Sequence, residues 1–380
     1  MPHSLTGRRL PLLAALALAG VLGACSNDAT APSADTAVAP QLNLVNAFYS
    51  VGITPDGSMA AFESDAGDLY FYNTRTGALS LKTYVGDLAS TVATGMSGNG
   101  VVTALHGNPV QPAFWTEHSD WTPLVSPYKQ GCFSGYGEDT GGAWDVSADG
   151  HVVVGLLWNG CNASAFRWDG AGDGIVHELQ RLGAPFPGDN NPPSNRATKV
   201  SRDGQVSGGF AQTAEVDRWP AIWHADGTGE LLTGGPDATP GEVLAINGDG
   251  SIVAGYWGTD AYYWTADVGT VIIGKLPDAD PYSDNTYVNA MSDDGKLMFG
   301  TCGNVWFGNP PRAFVWTQGG GMRTLAEVAT AAGVTIPAGV TLSNVLHASS
   351  DGTVITGTAN DDNFHSYTFV LRLPHSAYGL

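Results

Sequence analysis

One ten-residue pattern occurs seven times along the chain and constrains the fold more than any other feature of the sequence. Each copy has a short apolar run, an Asp-Gly or Asn-Gly pair and a second apolar run. Such pairs accept the positive φ that turns between antiparallel strands require. Each copy therefore predicts a β-hairpin, and the repetition predicts an array of similar units. The copies begin at Ile53, Met96, Val146, Val200, Ile246, Met291 and Ala348.

Glycines stand at two fixed places in the repeat. The first is the second residue of the turn pair. The second is the residue that closes the hairpin, where a glycine inside a strand indicates that another backbone approaches closely. The turn pairs are Asp56-Gly57, Asn99-Gly100, Asp149-Gly150, Asp203-Gly204, Asp249-Gly250, Asp294-Gly295 and Asp351-Gly352. The closing glycines are Gly155, Gly209, Gly255, Gly300 and Gly357.

An aromatic strand such as Ala165-Phe166-Arg167-Trp168 follows each hairpin, and a fourth apolar strand follows that. Four strands in a unit of roughly 45–55 residues are typical of a propeller blade. With 51 Gly and 22 Pro, long helices are disfavoured, and the 11 Trp argue against disorder. The sequence predicts an all-β fold, a seven-bladed β-propeller of four-stranded antiparallel blades. Another repetitive β architecture, such as a pair of sandwiches, is the alternative.

The last copy contains three clear strands and ends at Leu373. We expect residues 35–46, with Leu42, Leu44 and Val45, to supply its fourth strand, so that the N-terminal strand closes the ring and removes its open edges. One helix is predicted from Thr324 to Ala332, because Thr324 and Glu327 have capping-box spacing and Gly333 follows.

The N-terminus has the features of an export signal. Arg8 and Arg9 precede the apolar residues 10–22, a run too short to span a bilayer as a helix. Leu22-Gly23-Ala24-Cys25 resembles the bacterial lipoprotein lipobox, which implies lipidation of Cys25 after removal of residues 1–24. The Ser26 that follows implies sorting to the outer membrane. Residues 25–40 are predicted to be a flexible tether and 41–380 the propeller domain. An ordinary signal peptide and twin-arginine export are the alternatives.

The repeat V-S-x-D-G-x-V-x-x-G, followed by A-F-x-W, resembles the HAF family of bacterial extracellular repeats. The resemblance covers most of residues 48–373, although Pro55 and Asn99 depart from the turn pattern in the first two copies. It implies a secreted or surface-exposed protein, and the family supplies no catalytic motif.

The net charge of −20 disfavours nucleic acid and charge-driven binding to anionic lipid, both of which need a basic surface. The sequence contains no P-loop, zinc or nucleophile-elbow motif, so we predict no cofactor. Carboxylate pairs for glycoside cleavage meet in space rather than in sequence, so a polysaccharide enzyme remains the alternative. We therefore expect a monomeric, lipid-anchored, extracytoplasmic binding module for a protein or glycan, with enzymatic activity undecided.

In such a propeller the Asp-Gly turns share one face, the turn face, and the longer connections share the opposite, variable face. The variable face is where we expect a ligand. Its candidate ligand-binding residues are Trp158, Tyr256, Trp257, Tyr282 and Trp306, which could instead pack neighbouring loops. Its acidic loops include Asp361-Asp362 and the weak Ca²⁺ candidates Asp278, Asp280 and Asp284.

With Cys25 lipidated, three cysteines remain in an oxidising compartment, where a disulfide is expected. Cys132 and Cys161 fall in variable-face loops of adjacent units, and Cys302 is expected in the matching loop of a unit across the ring. A bridge needs Cα atoms within about 7 Å. We therefore predict a Cys132–Cys161 disulfide and a free Cys302, with three free thiols as the alternative.

Overall fold

The computed structural model describes residues 39–46, 48–84, 90–127, 140–158, 163–236, 238–304, 309–363 and 365–380. These residues form seven four-stranded antiparallel sheets arranged as the blades of one ring. The predicted seven-bladed β-propeller is therefore confirmed. No helix in this part of the chain is long and apolar enough to cross a membrane.

Blades one to three each use four consecutive strands. Blade one contains β2 (Phe48–Ile53), β3 (Met59–Ser64), β4 (Leu69–Asn73) and β5 (Leu79–Thr83). Blade two contains β6 (Ser90–Met96), β7 (Val102–Gly107), β8 (Gln111–Thr116) and β9 (Asp120–Pro123). Blade three contains β10 (Gly141–Val146), β11 (Val152–Trp158), β12 (Ala163–Asp169) and β13 (Val176–Glu178).

Blades four to six repeat this order. Blade four contains β14 (Asn195–Val200), β15 (Val206–Ala211), β16 (Trp219–His224) and β17 (Gly229–Leu231). Blade five contains β18 (Gly241–Ile246), β19 (Ile252–Trp257), β20 (Asp260–Thr265) and β21 (Gly269–Gly274). Blade six contains β22 (Asn285–Met291), β23 (Met298–Asn304), β24 (Asn309–Thr317) and β25 (Gly321–Thr324).

Blade seven takes its outermost strand from the other end of the chain. It contains β26 (Val340–Ala348), β27 (Val354–Asp361), β28 (Ser366–Arg372) and β1 (Gln41–Asn46). The pairing of β1 with β28 is antiparallel, from Gln41 opposite Arg372 to Asn46 opposite Tyr367. Leu42 and Leu44 pack on the apolar cluster shared by blades six and seven. The predicted closure of the ring by the N-terminal strand is confirmed.

The hydrophobic core lies between the faces of neighbouring blades. One cluster joins Val152 and Val154 of blade three to Ala197, Val200 and Trp223 of blade four. Similar clusters join the other neighbouring blades, so that each blade buries both of its faces. Because every blade depends on its neighbours, the ring is one cooperative core.

The Ser-x-Asp-Gly turn has a physical explanation that all seven copies share. The side chain of the Ser, or of its Thr or Asn equivalent, donates to the side-chain oxygen Oδ1 of the Asp or Asn two residues later, at 2.5–2.9 Å. The same side chain accepts the N–H of the residue five positions on in six copies, and of the residue four positions on (Val101, from Ser97) in blade two. In each of these turns the glycine takes the positive φ, from 68° at Gly57 to 83° at Gly100. The Asp therefore acts as a hydrogen-bond acceptor.

A belt of backbone hydrogen bonds joins the blades on the turn face. The residue before each turn Asp donates to its counterpart in the next blade, as Asp293 N does to Ser350 O at 2.7 Å. Between blades four and five the donor is the turn Asp itself, because Asp203 N, and not Arg202 N, donates to Gly248 O at 3.3 Å. Pro55 has no N–H, so blade one cannot donate to blade two in this way. This is the structural effect of the departure at Pro55.

A β-bulge occurs at the same position in all seven inner strands, two residues before the strand's last residue. In blade three the register shifts between Ala143 and Asp145, and in blade four between Ala197 and Lys199. A bulge bends its strand and re-aims the side chains around it. These bulges bring residues such as Asp145, Lys199 and His347 to the central channel.

The predicted helix is confirmed as α1 (Leu325–Ala331). Thr324 accepts the Glu327 N–H, and the Glu327 carboxylate accepts the Thr324 N–H, each at 3.2 Å. Leu325 and Val328 are buried in the cluster of blades six and seven. A short 3₁₀ helix (His375–Tyr378) ends the chain. Its Tyr378 hydroxyl donates to the Gly352 carbonyl at 3.0 Å on the turn face.

The closing glycines of the hairpins are crowded by the neighbouring strand, as predicted. A Cβ at Gly300 would overlap the Tyr287 carbonyl oxygen, and one at Gly255 would overlap that of Glu242. We expect Gly300→Ala to lower the free energy of unfolding by about 3 kcal/mol or more, because backbone atoms cannot move aside as side chains do. Denaturant unfolding measures this. Gly319→Ala in the same blade is the control, since no atom lies within 4 Å of its Cβ position. Equal stability of the two variants would contradict the steric argument.

Candidate functional site

The two faces of the ring differ in structure. Each inner strand begins on the variable face and ends at its Asp-Gly turn, so the seven similar turns occupy one face. The starts of the inner strands and the connections between second and third strands lie on the other. The mouth of the channel on the variable face carries the most unusual side-chain chemistry of the described residues.

A buried carboxylate between two arginines lies at this mouth. Glu242 is 1% exposed and is the second residue of the inner strand of blade five. Its Oε1 accepts from Arg196 Nη2 at 2.7 Å and from Thr198 Oγ1 at 2.5 Å, and its Oε2 accepts from Arg218 Nη1 at 2.9 Å. A buried charge persists only when it is paired and hydrogen-bonded, as this one is. We call Arg196, Arg218 and Glu242 the mouth triad.

Aromatic rings surround the mouth triad. The Arg196 guanidinium lies 4.5 Å from the Trp144 ring centroid and 4.9 Å from that of Phe210, and Arg218 lies 4.9 Å from Phe210. Burial is the largest single influence on the pKa of Arg218 and lowers it, but Glu242, Tyr256 and Asp217 together outweigh burial and the net pKa is raised. Stacking and ion pairing together fix both guanidinium planes. Arg218 keeps 40% of its side chain exposed to solvent.

An apolar pocket of ≈ 340 Å³ lies beside the triad, between blades two and three. Trp144 and Trp158 form its aromatic walls, and Leu105, Val110 and Leu156 line the rest. The same Trp144 ring stacks on Arg196, so this side chain contacts both the pocket and the triad, although no triad residue lines the pocket itself. An apolar cavity with a few polar groups at its edge is the usual form of a small-molecule site.

The other predicted aromatic residues differ widely in exposure. Trp257 is fully buried and packs edge-on against Trp219 and Tyr262, so its ring is not available at the surface. Tyr256 is partly buried beside the triad, and the centroid of its ring lies 4.9 Å from that of Tyr287. Tyr282 is 92% exposed. Trp306 lies outside the described residues.

The carboxylates of the predicted acidic loop are bonded to the protein. Asp278 pairs with Arg312 through two contacts of 2.7 and 2.9 Å. Asp280 accepts the backbone N–H groups of Tyr282 and Ser283, and the buried Asp284 accepts that of Asp280 at 2.9 Å. In the described part of the chain no group of three or more His, Cys, Asp or Glu residues could hold a metal ion.

The cysteine predictions are tested only at Cys302. This thiol is free, as expected, but it lies in strand β23 and not in a loop. It is fully buried and accepts a hydrogen bond from Thr286 at 3.3 Å. Cys302 stands seven residues after the turn Gly295, and the equivalent residues of other blades, such as Leu157 and Trp257, also lie in the second strand, so the loop begins later than the sequence argument assumed. Cys25, Cys132 and Cys161 lie outside the described residues, so lipidation and the disulfide stay predictions.

Glu63 is a second unusual carboxyl group, near the variable-face end of β3. Its Oε2 accepts the Ala93 N–H of blade two at 2.6 Å. Burial raises its pKa from about 4.5 to about 7, and the hydrogen bond from Ala93 opposes this only in part. The folded protein therefore retains a proton at Glu63 over a pH range in which the unfolded chain has released it.

We expect stability to fall as the pH rises from about 4.5 to about 7, because over this range the folded state binds the Glu63 proton and the unfolded state does not. Glu63→Gln should remove this dependence and raise the free energy of unfolding at about pH 8 by about 1–3 kcal/mol, allowing for partial exposure. Glutamine still accepts the Ala93 N–H. Urea unfolding of both proteins across this pH range measures the pH dependence of the free energy of unfolding, and the exposed Glu230→Gln is the control. An unchanged pH profile would contradict the assignment.

Sequence reasoning did not identify the mouth triad. One signal was available, because Arg196 and Glu242 stand at the same repeat position, seven residues before Asp203 and Asp249 respectively. Equivalent positions of adjacent blades are neighbours around the ring. Arg218 lies in the connection between second and third strands of blade four, and no repeat position marks it.

Similarity to known proteins is confined to the fold. No protein-family model matches the chain, and no curated protein matches it. An oligogalacturonate lyase from Vibrio parahaemolyticus superposes with a TM-score of 0.55 at 15% identity, over 88% of this chain and 92% of that one. An oligogalacturonate lyase in complex with manganese superposes with a TM-score of 0.54 at 14% identity, over 89% of this chain and 92% of that one. A chain of a mitotic checkpoint complex superposes with a TM-score of 0.50 at 16% identity, over 86% of this chain and 93% of that one. These likenesses show a β-propeller, and the resemblance to HAF repeats stays a prediction.

Proposed function

We propose that this protein is a lipid-anchored, extracytoplasmic binding module whose ligand occupies the variable face beside the channel mouth. The observation that carries the proposal is that Trp144 both lines the Trp144–Trp158 pocket and stacks on Arg196 of the mouth triad. Aromatic walls supply contact area for an apolar ring or sugar face, and a fixed, partly exposed guanidinium supplies directional hydrogen bonds. The turn face carries a larger pocket of ≈ 510 Å³ between blades three and four, but polar groups such as Arg167, Asp169 and Asp173 dominate its lining and no Trp, Tyr or Phe contributes to it.

The topology supports an orientation for such an anchored module. Gln41 pairs with Arg372, and Leu373 N donates to Thr353 O beside the last Asp-Gly turn, so β1 enters the ring on the turn face. The residues between Cys25 and β1 can span at most about 50 Å. With Cys25 carrying lipid, the turn face lies nearer the membrane and the variable face points away from it. A ligand outside the membrane then has free access to the pocket.

Lipidation has a direct test. Metabolic labelling with a fatty-acid analogue should tag the wild-type protein, and Cys25→Ser should abolish the tag while leaving the propeller folded. The reason is that the lipid is attached to the sulfur of this residue. Equal labelling of the wild type and of Cys25→Ser would contradict the assignment of the lipid to Cys25. Cys302→Ser is the matched control and should retain the label.

Binding can be tested with panels of glycans and envelope proteins and the full-length protein in detergent. Binding by a panel member should quench or shift tryptophan fluorescence, because Trp144 and Trp158 line the pocket. Trp158→Ala should weaken it at least about tenfold, the cost of losing one stacking surface. A turn-face change, Lys296→Ala, should not alter it. A ligand insensitive to Trp158→Ala would contradict the assigned site.

An enzyme acting on polysaccharide is a second candidate, favoured by one observation. Glu63, with a pKa of about 7, would act as a general acid near neutral pH. This candidate also needs a second carboxyl group across a bound sugar. Glu63→Gln should abolish any polysaccharide cleavage but leave binding in the Trp144–Trp158 pocket intact. Retained cleavage by this variant would exclude Glu63 as the acid.

A further inference from the structure

The central channel has a half that opens toward the variable face and a half that opens toward the turn face. The variable-face half is a cavity of ≈ 220 Å³ lined by inner-strand residues of six blades. Apolar walls come from Val51, Ala93, Leu244 and Leu346, and polar groups come from Lys199, Asn289, Asn344 and His347. None of these residues belongs to the pocket or the mouth triad described above.

The hydrogen bonds of Asn289 and Asn344 determine which of their polar atoms are left without a hydrogen-bond partner at the cavity. Asn289 Nδ2 donates to the Val345 carbonyl at 3.1 Å, and of the two polar atoms of an amide side chain only the nitrogen can donate, so the orientation of this amide is determined. The same Nδ2 donates to Asn344 Oδ1 at 2.8 Å, which in turn determines the Asn344 amide. Asn344 Nδ2 is therefore directed away from this contact. It has no partner among the residues that the structure describes.

Lys199 supplies a positive charge to the same cavity. Its side chain is half-buried and borders both halves of the channel. Within the described ranges its ammonium group has no hydrogen bond or ion pair. Its three N–H donors and those of Asn344 thus border one cavity. An unpaired ammonium removed from bulk water is costly unless an opposite charge approaches it.

The charges around the cavity leave this half of the channel positive. Burial first, and the Lys199 charge next, lower the pKa of His347 to about 3, so its ring is neutral. The nearby acids, Asp145 and Asp293, line or border the turn-face half instead. Asp145 accepts the Val200 N–H at 3.0 Å, and Asp293 pairs with Arg202 at 3.0 Å. No carboxylate lines the variable-face cavity.

We propose that the variable-face half of the channel binds a small carboxylate, with Lys199 Nζ and Asn344 Nδ2 as its donors. The ammonium group compensates the anionic charge, and the amide fixes one carboxylate oxygen. The apolar walls suit a short aliphatic tail, and the cavity volume limits the ligand to a few carbon atoms. This site is independent of the Trp144–Trp158 pocket, so either can exist without the other.

The test compares propionate with propionamide, which has nearly the same shape but no charge. Thermal unfolding of the full-length protein at constant ionic strength should show a rise in Tm with propionate and none with propionamide, because a ligand that binds the folded state stabilises it. Calorimetric titration should give saturable binding of propionate. No difference between the two compounds, or an equal rise with chloride, would overturn the proposal.

Three variants separate the site from general effects on folding. Lys199→Met removes the charge but keeps the stem, so the propionate-dependent rise in Tm should vanish and Kd should weaken at least about tenfold. Asn344→Asp retains the acceptor for Asn289 and places a carboxylate beside Lys199, which should also abolish binding while the fold stays intact. The exposed Lys296→Met is the matched control and should bind as the wild type does. Unaltered propionate binding in both channel variants would refute the assignment of the donors.

Discussion

Deletion of residues 35–46 should destabilise the whole propeller, whereas deletion of residues 27–33 should leave its stability unchanged. The first deletion removes β1, all six of its residue pairs with β28, and the contacts of Leu42 and Leu44 with the cluster of blades six and seven. The ladder bonds and the apolar burial together contribute about 4–8 kcal/mol. Loss of β1 also exposes the edge of β28 and opens the ring.

Thermal and urea unfolding of the two deletion proteins provide the comparison. A cooperative transition at much lower denaturant is expected for the first, because every blade shares its core with its neighbours. The second deletion lies N-terminal to β1 and removes none of its pairs. Identical midpoints for both proteins would mean that β1 does not hold the ring closed.

Removal of the Glu242 carboxylate should be the most damaging single change at the channel mouth. Glu242→Ala leaves Arg196 and Arg218 without the anion that both contact and leaves Thr198 without its acceptor. Breaking a buried ion pair from one side costs about 3–5 kcal/mol, and here the charge that stays largely buried and uncompensated is that of Arg196. We expect a loss of that size in the free energy of unfolding.

A combined variant distinguishes an ion-pair effect from a packing effect. Replacing all three members of the mouth triad, as Arg196→Met, Glu242→Leu and Arg218→Met together, should recover most of the lost stability, since no unpaired charge is left. The exposed Glu230→Ala in the preceding blade is the control and should change stability by less than about 0.5 kcal/mol. A triple variant as unstable as Glu242→Ala would show that the loss arises from packing.

The repeat itself made most of the fold predictable. Ser147, Asp149 and Gly150 belong to one short segment that closes its own turn, so local chemistry is sufficient. The ring closure followed from a count of strands, because the last unit lacked one. The capping box of α1 is likewise local, with Thr324 and Glu327 three residues apart.

The candidate site was much less predictable, because its members meet only across blades. Glu242 meets Arg196 through the ring geometry, and the bulge in each inner strand sets which side chains reach the mouth. Exposure was the other difficulty. Tyr256 and Trp257 are adjacent in sequence, yet successive strand residues face opposite sides, and Trp257 packs completely against Trp219. The sequence marks an aromatic strand end but does not say which ring faces solvent.

The central claim is that the variable face is the binding face, and one measurement tests it most directly. Full-length protein is probed against glycan and envelope-protein panels alongside two variants, Trp158→Ala on the variable face and Lys296→Ala on the turn face. The account predicts a ligand whose binding is weakened at least about tenfold by Trp158→Ala and is unaffected by Lys296→Ala. A ligand lost with Lys296→Ala and retained with Trp158→Ala would place recognition on the turn face and contradict the account.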